Sequence, residues 1–402
     1  MLSKRFSEKK GVKGGLLFLA ILMLALLVAA CGAGNDNGSQ SIDPAQTETT
    51  EPTDASDSTE QDQAEQDSAA DDAEGGEEGY APPTANVTLR GAGASFPHPL
   101  FMSMFYDYNQ QYPNIIVDYE STGSGGGQRA LKEGTVDFAA SDAYMTEEDM
   151  AEVPNGGVIH IPITIGTVAI IYNLEGIDTG LKLTQETLSK IYLGEITRWN
   201  DPLLVADNPD LDLPDQAITV VHRSDSSGTT SIFTDYLSKV SPEWAEKVGS
   251  GTAVDWPTGI GGNKNDGVAA QVAQTPGSIG YVEFAFAVEN NLTYAQLRNK
   301  DGYFVFPSLE AASLAAADAA ANMPEDTRVS LVEKGGKDSY GIVGTSWLLL
   351  YKEYPDPDKK AAIQHLVSWM YREGQKHAEP LHYAPIPEEI AQINDRNLAK
   401  IK

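Results

Sequence analysis

The amino-acid sequence predicts an α/β protein whose folded part divides into two lobes built on mixed sheets. From about residue 85 onward, short apolar runs alternate with segments of helical periodicity, which is the pattern of strand and helix units. Residues 85–402 are enough for a large core and for more than one lobe. The only cysteine, Cys31, precedes this part, so no internal disulfide is expected to hold it.

Residues 1–30 have the composition of an export signal. An apolar run over residues 16–30 follows the basic side chains Lys4, Arg5, Lys9, Lys10 and Lys13. The run is shorter than the roughly 20 residues that a membrane-spanning helix needs, so a permanent transmembrane anchor is the less favoured interpretation.

Cys31 ends the apolar run, and the segment VAACG at 28–32 resembles the lipobox of bacterial lipoproteins. That resemblance implies cleavage before Cys31, lipidation of its sulfur with diacylglycerol, and an anchor on the outer face of the cell membrane. Two acyl chains suffice for stable anchoring, whereas one binds marginally. The alternative is a small apolar thiol that only ends the signal helix.

Residues 31–84 are predicted to form a solvated tether. Fifteen acidic residues lie between Asp36 and Glu78, with no Lys or Arg and almost no large apolar side chain. Such a segment cannot bury enough surface to fold, and its like charges extend it. The chain has a net charge of −30, and the part after residue 84 is itself acidic, which argues against nucleic acid as a partner.

Seven strands are predicted after the tether, and helices are expected between them. The strands are residues 86–90, 115–120, 138–141, 168–172, 218–222, 279–283 and 347–351. Helices are expected at 100–112, from about Gln128, at 231–237 and after Asp358. The last would place Ile363, Leu366, Val367 and Met370 on one apolar face, with Lys359, Lys360 and Arg372 outside it.

Four short motifs carry most of the functional information. They are GAGASFP at 91–97, GSGGG at 123–127, DFAASD at 137–142 and HRSDSSGTT at 222–230. Three of them join a predicted strand to a predicted helix, where glycine allows close approach of a ligand and the first helical N–H groups can bind an anion.

Asp142 and Arg223 are the charged candidates within these motifs. Asp142 ends a predicted strand, and Arg223 offers a guanidinium that Asp225 is expected to hold. Each motif also has an ordinary structural explanation, as a tight turn, a helix cap or a surface ion pair.

Together with further segments, these motifs resemble the PstS family, the phosphate-binding proteins of high-affinity phosphate ABC transporters. The resemblance covers nearly all of residues 86–402. The additional matching segments are LGEITRWNDP at 193–202, WPTGIGG at 256–262, NDG at 265–267 and GSIGYVEFAFA at 277–287.

The resemblance implies a two-lobed, Venus-flytrap binding-protein fold that closes on inorganic phosphate. It assigns residues 85–165 and 338–402 to lobe 1 and residues 166–337 to lobe 2. It also implies two permease subunits and a cytoplasmic ATPase as partners. The implied phosphate ligands are Ser95, Phe96, Ser124, Asp142, Arg223, Ser227, Gly228 and Thr229.

Two departures from the family's pattern concern loop geometry. Ser226 replaces a glycine that is common in the motif of Arg223, and Asn263-Lys264 replaces a Lys-Gly pair. In this site Asp142 would select for phosphate, because an ionised carboxylate can only accept hydrogen bonds and sulfate has no proton to donate near neutral pH.

Three other functions stay open at this point. A binding protein for sulfate or molybdate conflicts with the role of Asp142. A hydrolase would use Ser124 or Ser227 and one of the histidines His98, His160, His222, His365, His377 and His382, yet no catalytic or metal-binding motif accompanies them. A structural surface protein leaves the ordered motifs unexplained. We therefore expect no catalytic residue, no cofactor and no metal.

Overall fold

The computed structural model describes residues 79–402, so the predicted signal, Cys31 and nearly all of the tether lie outside the described residues. The strands are β1 (Val87–Gly93), β2 (Ile115–Ser121), β3 (Phe138–Ser141), β4 (Val158–Asn173), β5 (Lys182–Leu183), β6 (Thr219–Arg223), β7 (Ile260–Gly262), β8 (Ser278–Glu283), β9 (Thr293–Tyr294), β10 (Gln296–Arg298), β11 (Phe304–Val305) and β12 (Val343–Tyr351).

The helices are α1 (His98–Gln111), α2 (Ser124–Lys132), α3 (Glu147–Ala151), α4 (Gln185–Tyr192), α5 (Pro202–Asp207), α6 (Gly228–Val240), α7 (Pro242–Lys247), α8 (Lys264–Gln274), α9 (Phe284–Glu289), α10 (Leu309–Asn322), α11 (Pro357–Met370) and α12 (Glu388–Leu398). Two short 3₁₀ turns, Glu373–His377 and Glu379–Leu381, follow α11. Among these described helices, none combines the length and the hydropathy needed to cross a bilayer.

Nine of the strands form one mixed sheet in the order β2-β1-β3-β12-β4-β8-β6-β7, with β9 added beside β4. The strands β1, β2 and β3 are mutually parallel, as are β6, β7 and β8, while β4 and β12 run antiparallel to their neighbours. The sixteen-residue β4 links the two parallel sets, because its first part pairs with β12 and its second part with β8.

This register makes the carboxyl ends of the two parallel sets face each other near the middle of β4. Ser141 at the end of β3 is level with Trp347, which pairs with Pro162 of β4. Glu283 at the end of β8 pairs with Val168 of β4. Ligands of α/β proteins bind beyond the carboxyl ends of strands, so the topology alone places a site in this region.

The predicted α/β class with mixed sheets is confirmed, and all seven predicted strands coincide with observed ones. The first ten residues of β4 were not predicted. Pro162 interrupts this stretch, and the pairing with β12 shifts register between Ser346 and Trp347, opposite that proline. Proline cannot donate to a ladder and is tolerated in a strand at such irregularities.

The first glycine motif was expected to follow its strand, but Gly91 and Gly93 belong to β1. A Cβ on Gly91 would stand 2.2 Å from the Phe138 ring, and one on Gly93 would stand 2.0 Å from the Ala140 oxygen. These two glycines therefore allow β1 to pack against β3, and the loop that can meet a ligand starts at Ala94.

The second glycine motif was expected to precede a helix beginning near Gln128, but α2 begins at Ser124. Its three glycines form the first turn of the helix. A Cβ on Gly127 would stand 2.6 Å from the Gly93 Cα, so this glycine lets the helix lie directly on β1. The motif thus serves close helix-to-strand packing and forms a buried helix N-terminus.

The prediction for α11 is correct for its apolar residues, since Ile363, Leu366, Val367 and Met370 are all buried. It was incomplete because every residue from Ala362 to Met370 is buried, including Gln364, His365 and Ser368. The helix lies against β1, α12 and the 3₁₀ turn Glu373–His377, so neighbours cover more than one of its faces. The expected polar face is confined to its first turn.

The predicted lobe boundaries, 165/166 and 337/338, lie two residues before β4 changes partner, between Thr167 and Val168, and shortly before β12 begins at Val343. The elements on one side are β1 to β3, α1 to α3 and the chain after β12. Those on the other side are β5 to β11 and α4 to α10. The exact division into lobes remains a prediction.

Candidate anion-binding site

Asp142 is placed at the end of β3, where the chain leaves the sheet as predicted. Its side chain is buried. Ser346 Oγ, from β12, donates to its Oδ1 at 2.6 Å, and Ser124 Oγ donates to its Oδ2 at 3.3 Å. The backbone N–H of Asp142 donates in turn to Ser124 Oγ at 3.1 Å. These bonds hold the carboxyl group in one orientation.

Burial raises the pKa of Asp142 to about 7, against the opposing effects of the Ser346 hydrogen bond, the charge of Arg223 and the Ser124 hydrogen bond. Removing a carboxylate from water penalises its charged form more than these partners stabilise it. The group therefore changes protonation state near neutral pH.

Arg223 ends β6 and is buried, with 3% of its surface exposed. Its Nε and Nη2 donate to Asp225 Oδ1 and Oδ2 at 2.8 and 2.5 Å, which confirms the expected pairing. Burial alone would raise the pKa of Asp225, but the hydrogen bond and charge of Arg223, together with backbone N–H donors that include Lys264, lower it. Two-point pairing fixes the plane of the guanidinium.

The pairing leaves Nη1 of Arg223 outside the Asp225 contact, and this atom donates to Thr229 Oγ1 at 3.3 Å. The backbone N–H of Arg223 donates to the Tyr281 hydroxyl at 3.1 Å, and that hydroxyl also bonds Thr230 Oγ1. The end of β6 and the start of α6 are thus held together by one buried tyrosine.

The first turn of α6 faces Asp142. Ser227 caps this helix by accepting from the Thr230 N–H at 3.1 Å. A Cβ on Gly228 would stand 2.4 Å from Ser124 Oγ and 2.6 Å from Asp142 Oδ2, so glycine is required there. The N–H groups of Gly228 and Thr229 begin the helix and have no partner within it, which leaves them available for an anion.

The start of α2 meets the loop between β6 and α6 directly. The Gly125 N–H donates to the Ser226 carbonyl oxygen at 3.0 Å. A Cβ on Gly125 would stand 1.9 Å from Ser226 Oγ and 2.4 Å from Ser226 Cβ. The glycine in the first turn of α2 is therefore necessary for this approach.

Ser95 and Phe96 lie in the loop between β1 and α1, and both are buried. Ser95 Oγ accepts from the backbone N–H and from Nδ2 of Asn265, at 3.3 and 3.0 Å. The Phe96 carbonyl oxygen accepts from the Tyr383 hydroxyl at 2.7 Å. The Phe96 N–H donates to no group among the described residues.

The structure brings the eight predicted residues to one region between the two parallel strand sets. Hydrogen bonds or close approach join Ser124, Asp142 and Gly228 in one group. Arg223 and Thr229 form another, to which Asn265 links Ser95. The two remaining residues adjoin members of these groups in the sequence: Ser227 precedes Gly228, and Phe96 follows Ser95. Whether each touches a ligand stays a prediction.

Two residues that the prediction did not include contact the site. Asn265 bonds both Ser95 and Thr229, and Ser346 bonds Asp142. Asn265 stands in the NDG segment, which matches the family's pattern, and its polar side chain was the signal that could have suggested it. Ser346 lies within an apolar strand and has no signal in the sequence.

One serine, histidine and aspartate do lie together, although outside the motifs. Ser103 Oγ is 3.0 Å from Nδ1 of His377, and His377 Nε2 is 3.0 Å from Asp107 Oδ2. Ser103 lies in the second turn of α1, where backbone N–H groups bond within the helix and cannot stabilise an oxyanion. Lys376 also bonds Asp107, so the cluster has the form of a surface charge network.

The two histidines next to the motifs have structural surroundings. The His222 ring stacks on Trp256, with centroids 4.8 Å apart, and His98 is the first residue of α1. Burial lowers the pKa of both. No grouping of acidic, histidine and cysteine residues able to hold a metal ion is found in residues 79–402.

The chain is similar to known proteins over most of its length. A family model described as a PBP superfamily domain matches residues 53–373. Phosphate-binding protein PstS of Xylella fastidiosa is 39% identical over 375 residues, which cover 93% of this chain and 94% of the relative. Phosphate-binding protein PstS of Pasteurella multocida is 44% identical and covers 78% of this chain and 90% of its own length.

Solved structures give the same fold. A high-affinity periplasmic phosphate-binding protein, PfluDING, bound with phosphate, has a TM-score of 0.60 at 19% identity and covers 76% of this chain and 92% of its own. An ABC-type phosphate transport receptor from Vibrio cholerae has a TM-score of 0.50 at 21% identity, over 75% and 100%. These likenesses confirm the predicted two-lobed α/β binding-protein fold.

Proposed function

We propose, from the premise that this chain belongs to the phosphate-binding protein PstS family, that it captures inorganic phosphate between its two lobes and delivers it to an ABC transporter. The observation that carries the proposal is one buried carboxyl group, Asp142, facing a set of hydrogen-bond donors. The donors are the guanidinium of Arg223, hydroxyl groups and the first N–H groups of α6.

The donors provide most of the attraction for the anion. Because Asp225 neutralises Arg223, the site adds little net positive charge, and the anion is held by oriented N–H and O–H dipoles. This suits a strongly acidic protein, in which the overall field repels anions. Binding energy must then come from hydrogen bonds made at short range.

Asp142 would provide selectivity. The O–H group of hydrogenphosphate can donate a hydrogen bond to an ionised carboxylate, whereas sulfate would place an acceptor against an acceptor in a buried site. Sites built around one required hydrogen bond reject analogues that lack it by roughly 10⁴ to 10⁵. This is why we prefer phosphate to sulfate or molybdate as the ligand.

The proposed function requires no catalysis. The relatives are named as binding proteins, and no histidine is hydrogen-bonded to Ser124 or Ser227 among the described residues, since Ser124 bonds Asp142 and Ser227 caps α6. Closure on the ligand would present one distinct shape to the permease, and ligand binding supplies the free energy that favours this shape. The proposed partners are two permease subunits and, through them, a cytoplasmic ATPase.

We further propose that the protein acts outside the cytoplasm and is held to the cell membrane through lipidated Cys31. The support is the sequence of residues 1–31 together with the acidic tether. Membrane fractionation of cells that express wild type or Cys31→Ser tests it. The wild-type protein should pellet with membranes and the variant should not, and pelleting of both would reject the anchor.

Isothermal titration with phosphate, sulfate and molybdate at matched ionic strength tests the binding function. The sample is the chain from residue 31 onward, carrying Cys31→Ser and stripped of ligand by unfolding and refolding. We expect tight binding of one phosphate and no heat from the other anions. If a folded sample does not bind phosphate, the proposed function is wrong. If the sample prefers another oxyanion, the proposed role of Asp142 is wrong.

A further inference from the structure

Asn265 lies where the two sides of the cleft meet. It is the second residue of α8 and is fully buried. Its Nδ2 donates to Ser95 Oγ at 3.0 Å and to Thr229 Oγ1 at 3.3 Å. Ser95 follows β1, whereas Thr229 and Asn265 open helices that follow β6 and β7. One amide group therefore joins hydroxyls from both sides.

The orientation of this amide is determined by a third contact. The backbone N–H of Glu283 donates to Asn265 Oδ1 at 3.1 Å. Because an N–H group can only donate, the oxygen of the amide must face Glu283 and the NH₂ group must face the two hydroxyls. Asn265 can therefore act on Ser95 and Thr229 only as a donor.

The hydrogen bonds of the two hydroxyls then decide where their hydrogens can go. A hydroxyl has two lone pairs and one hydrogen. Ser95 Oγ accepts from Nδ2 and from the backbone N–H of Asn265, and Thr229 Oγ1 accepts from Asn265 Nδ2 and from Arg223 Nη1. With both lone pairs engaged, each hydroxyl is left with its hydrogen to donate.

We propose that Asn265 is a positioning residue that turns the hydroxyls of Ser95 and Thr229 into obligatory donors to the bound anion. This inference rests on the proposed phosphate-binding function and adds a residue to it. Asn265 does not itself contact the ligand. It orients two donors from opposite sides, so an anion with acceptor oxygens is favoured and a neutral or cationic ligand is not.

The position of Asn265 also predicts when it acts. Ser95 and Asn265 are 170 positions apart in the chain and come from elements on opposite sides of the cleft. Their contact therefore depends on closure, and its loss should accelerate ligand release more than it slows capture. Effects on complexes of one interface generally appear in the dissociation rate.

Double-mutant cycles on phosphate affinity test the proposal. We would measure wild type, Asn265→Ala, Ser95→Ala and the double variant by titration, with dissociation rates by stopped flow. A second cycle pairs Asn265→Ala with Ser227→Ala, because Ser227 makes no hydrogen bond with Asn265. Asn208→Ala, which removes an equally buried asparagine that bonds Lys182 and Leu204, is the matched control.

We expect Asn265→Ala and Ser95→Ala each to weaken phosphate binding about 10- to 100-fold. In the double variant the losses should fall short of their product by about tenfold, because one hydroxyl is affected by both changes. The cycle with Ser227 should be multiplicative within about twofold, and Asn208→Ala should bind as wild type. Asn265→Ala should act mainly on the dissociation rate.

Other results would overturn the proposal. Wild-type affinity in Asn265→Ala, or multiplicative losses in the Ser95 cycle, would show that Asn265 does not work through that hydroxyl. If Asn265→Ala does not fold, the cycle is repeated with Asn265→Asp, which keeps the acceptor for Glu283 N–H and loses the donors. Failure of wild type itself to bind phosphate would reject the proposed function, and this outcome is distinct from a failed cycle.

Discussion

The two carboxyl oxygens of Asp142 have different surroundings. Oδ1 is taken by Ser346 at 2.6 Å, whereas Oδ2 has a longer contact with Ser124, at 3.3 Å, and lies beside Gly228. Ser346 therefore fixes the group, and Oδ2 is the oxygen left to accept from a ligand. A single available acceptor of this kind distinguishes a ligand that can donate one hydrogen bond from a ligand that cannot.

Replacing Asp142 by Asn removes that acceptor and supplies an NH₂ donor of the same shape. Discrimination against sulfate should then fall by about 100-fold or more, because sulfate can accept from the amide. Competition titration of phosphate against sulfate measures it. Full rejection of sulfate by the variant would count against the assignment.

The pKa of about 7 for Asp142 makes the same discrimination depend on pH. Below this value the carboxyl group is protonated and can donate to sulfate, and above it the group can only accept. We expect the phosphate-to-sulfate affinity ratio to rise between pH 5.5 and pH 8.5. Asp142→Asn should show no such rise from this residue, and a flat ratio in wild type would contradict the prediction.

At the residue scale, the eight candidate ligands were implied by the resemblance to the PstS family, whose glycine-rich and hydroxyl-rich motifs contain these positions. The partners of those residues were harder to predict. Ser346 comes from a strand 204 positions away from Asp142, and only the paired sheet brings them together. A local pattern contains no information about such a contact.

At the element scale, helix α2 and the loop before α6 meet through Gly125 and Ser226. Their approach is close enough that Gly125 can carry no side chain while Ser226 has one. The common glycine at position 226 of the family would leave more room. The contact therefore depends on a pair of residues, and a change in one should be compensated by a change in the other.

Gly125→Ala should weaken phosphate binding by tenfold or more, because its Cβ would overlap Ser226 Cβ and prevent the N–H contact across the cleft. Adding Ser226→Gly should restore most of the affinity, since it removes the two overlapping atoms and the next nearest atom, the Ser226 carbonyl oxygen, is 3.5 Å from that Cβ. Titration of both variants decides the matter. A double variant as weak as Gly125→Ala would show that the overlap is not the cause.

The start of α8 contains a strained residue. Lys264, where the family has glycine, has a φ of 62°, and its N–H donates to Asp225 Oδ1 at 3.0 Å. Lys264→Gly keeps this bond and removes the steric cost, so the free energy of unfolding should rise by up to about 1 kcal/mol. Lys190→Gly, within α4, should instead lower it by about 1 kcal/mol. Urea unfolding measures both, and a loss at position 264 would contradict the argument.

Elements were predicted well where the apolar pattern is simple and less well where packing overrides it. The seven strands were found because each is a short apolar run between polar or glycine-rich turns. The glycines of α2 were predicted to lie in a loop. The sequence shows that glycine destabilises a helix, but it does not show the compensating contact with β1. The first part of β4 was missed for a similar reason. Pro162 argues against a strand in the sequence, whereas the register shift that accommodates it is seen only in the structure.

At the scale of the whole molecule, Glu283 lies at the junction of the two strand sets. Its side chain is fully buried, and Oε2 accepts from the Ala285 N–H and contacts the Tyr383 hydroxyl at 2.8 Å. That hydroxyl has one hydrogen and also bonds the Phe96 oxygen, which can only accept. A protonated Glu283 satisfies both contacts, with its own hydrogen donated to Tyr383.

Burial raises the pKa of Glu283 well above its ordinary value of 4.5, so the folded chain holds a proton that the unfolded chain releases. The free energy of unfolding should therefore fall as pH rises above about 4.5, by up to about 1.4 kcal/mol for each unit. Glu283→Gln should remove this loss, so its stability relative to wild type should grow between pH 5 and pH 8.5.

Urea unfolding of the ligand-free protein at these two pH values measures the effect, with Glu175→Gln, an exposed side chain, as the control. A constant difference between Glu283→Gln and wild type would show that Glu283 is ionised in the folded protein. The control should show no pH-dependent difference.

The insertion of β12 between β3 and β4 has a consequence for the order in which the protein can be made. The strand comes late in the chain, yet it supplies Ser346 and completes the sheet that holds Asp142. Contacts between such distant segments form slowly, because a long loop must close before they are gained. A chain of which only the first 340 residues have been synthesised therefore lacks a complete pocket. Phosphate inside the cell could not bind such a chain, and so could not stabilise its folded state before the last part of the polypeptide is made.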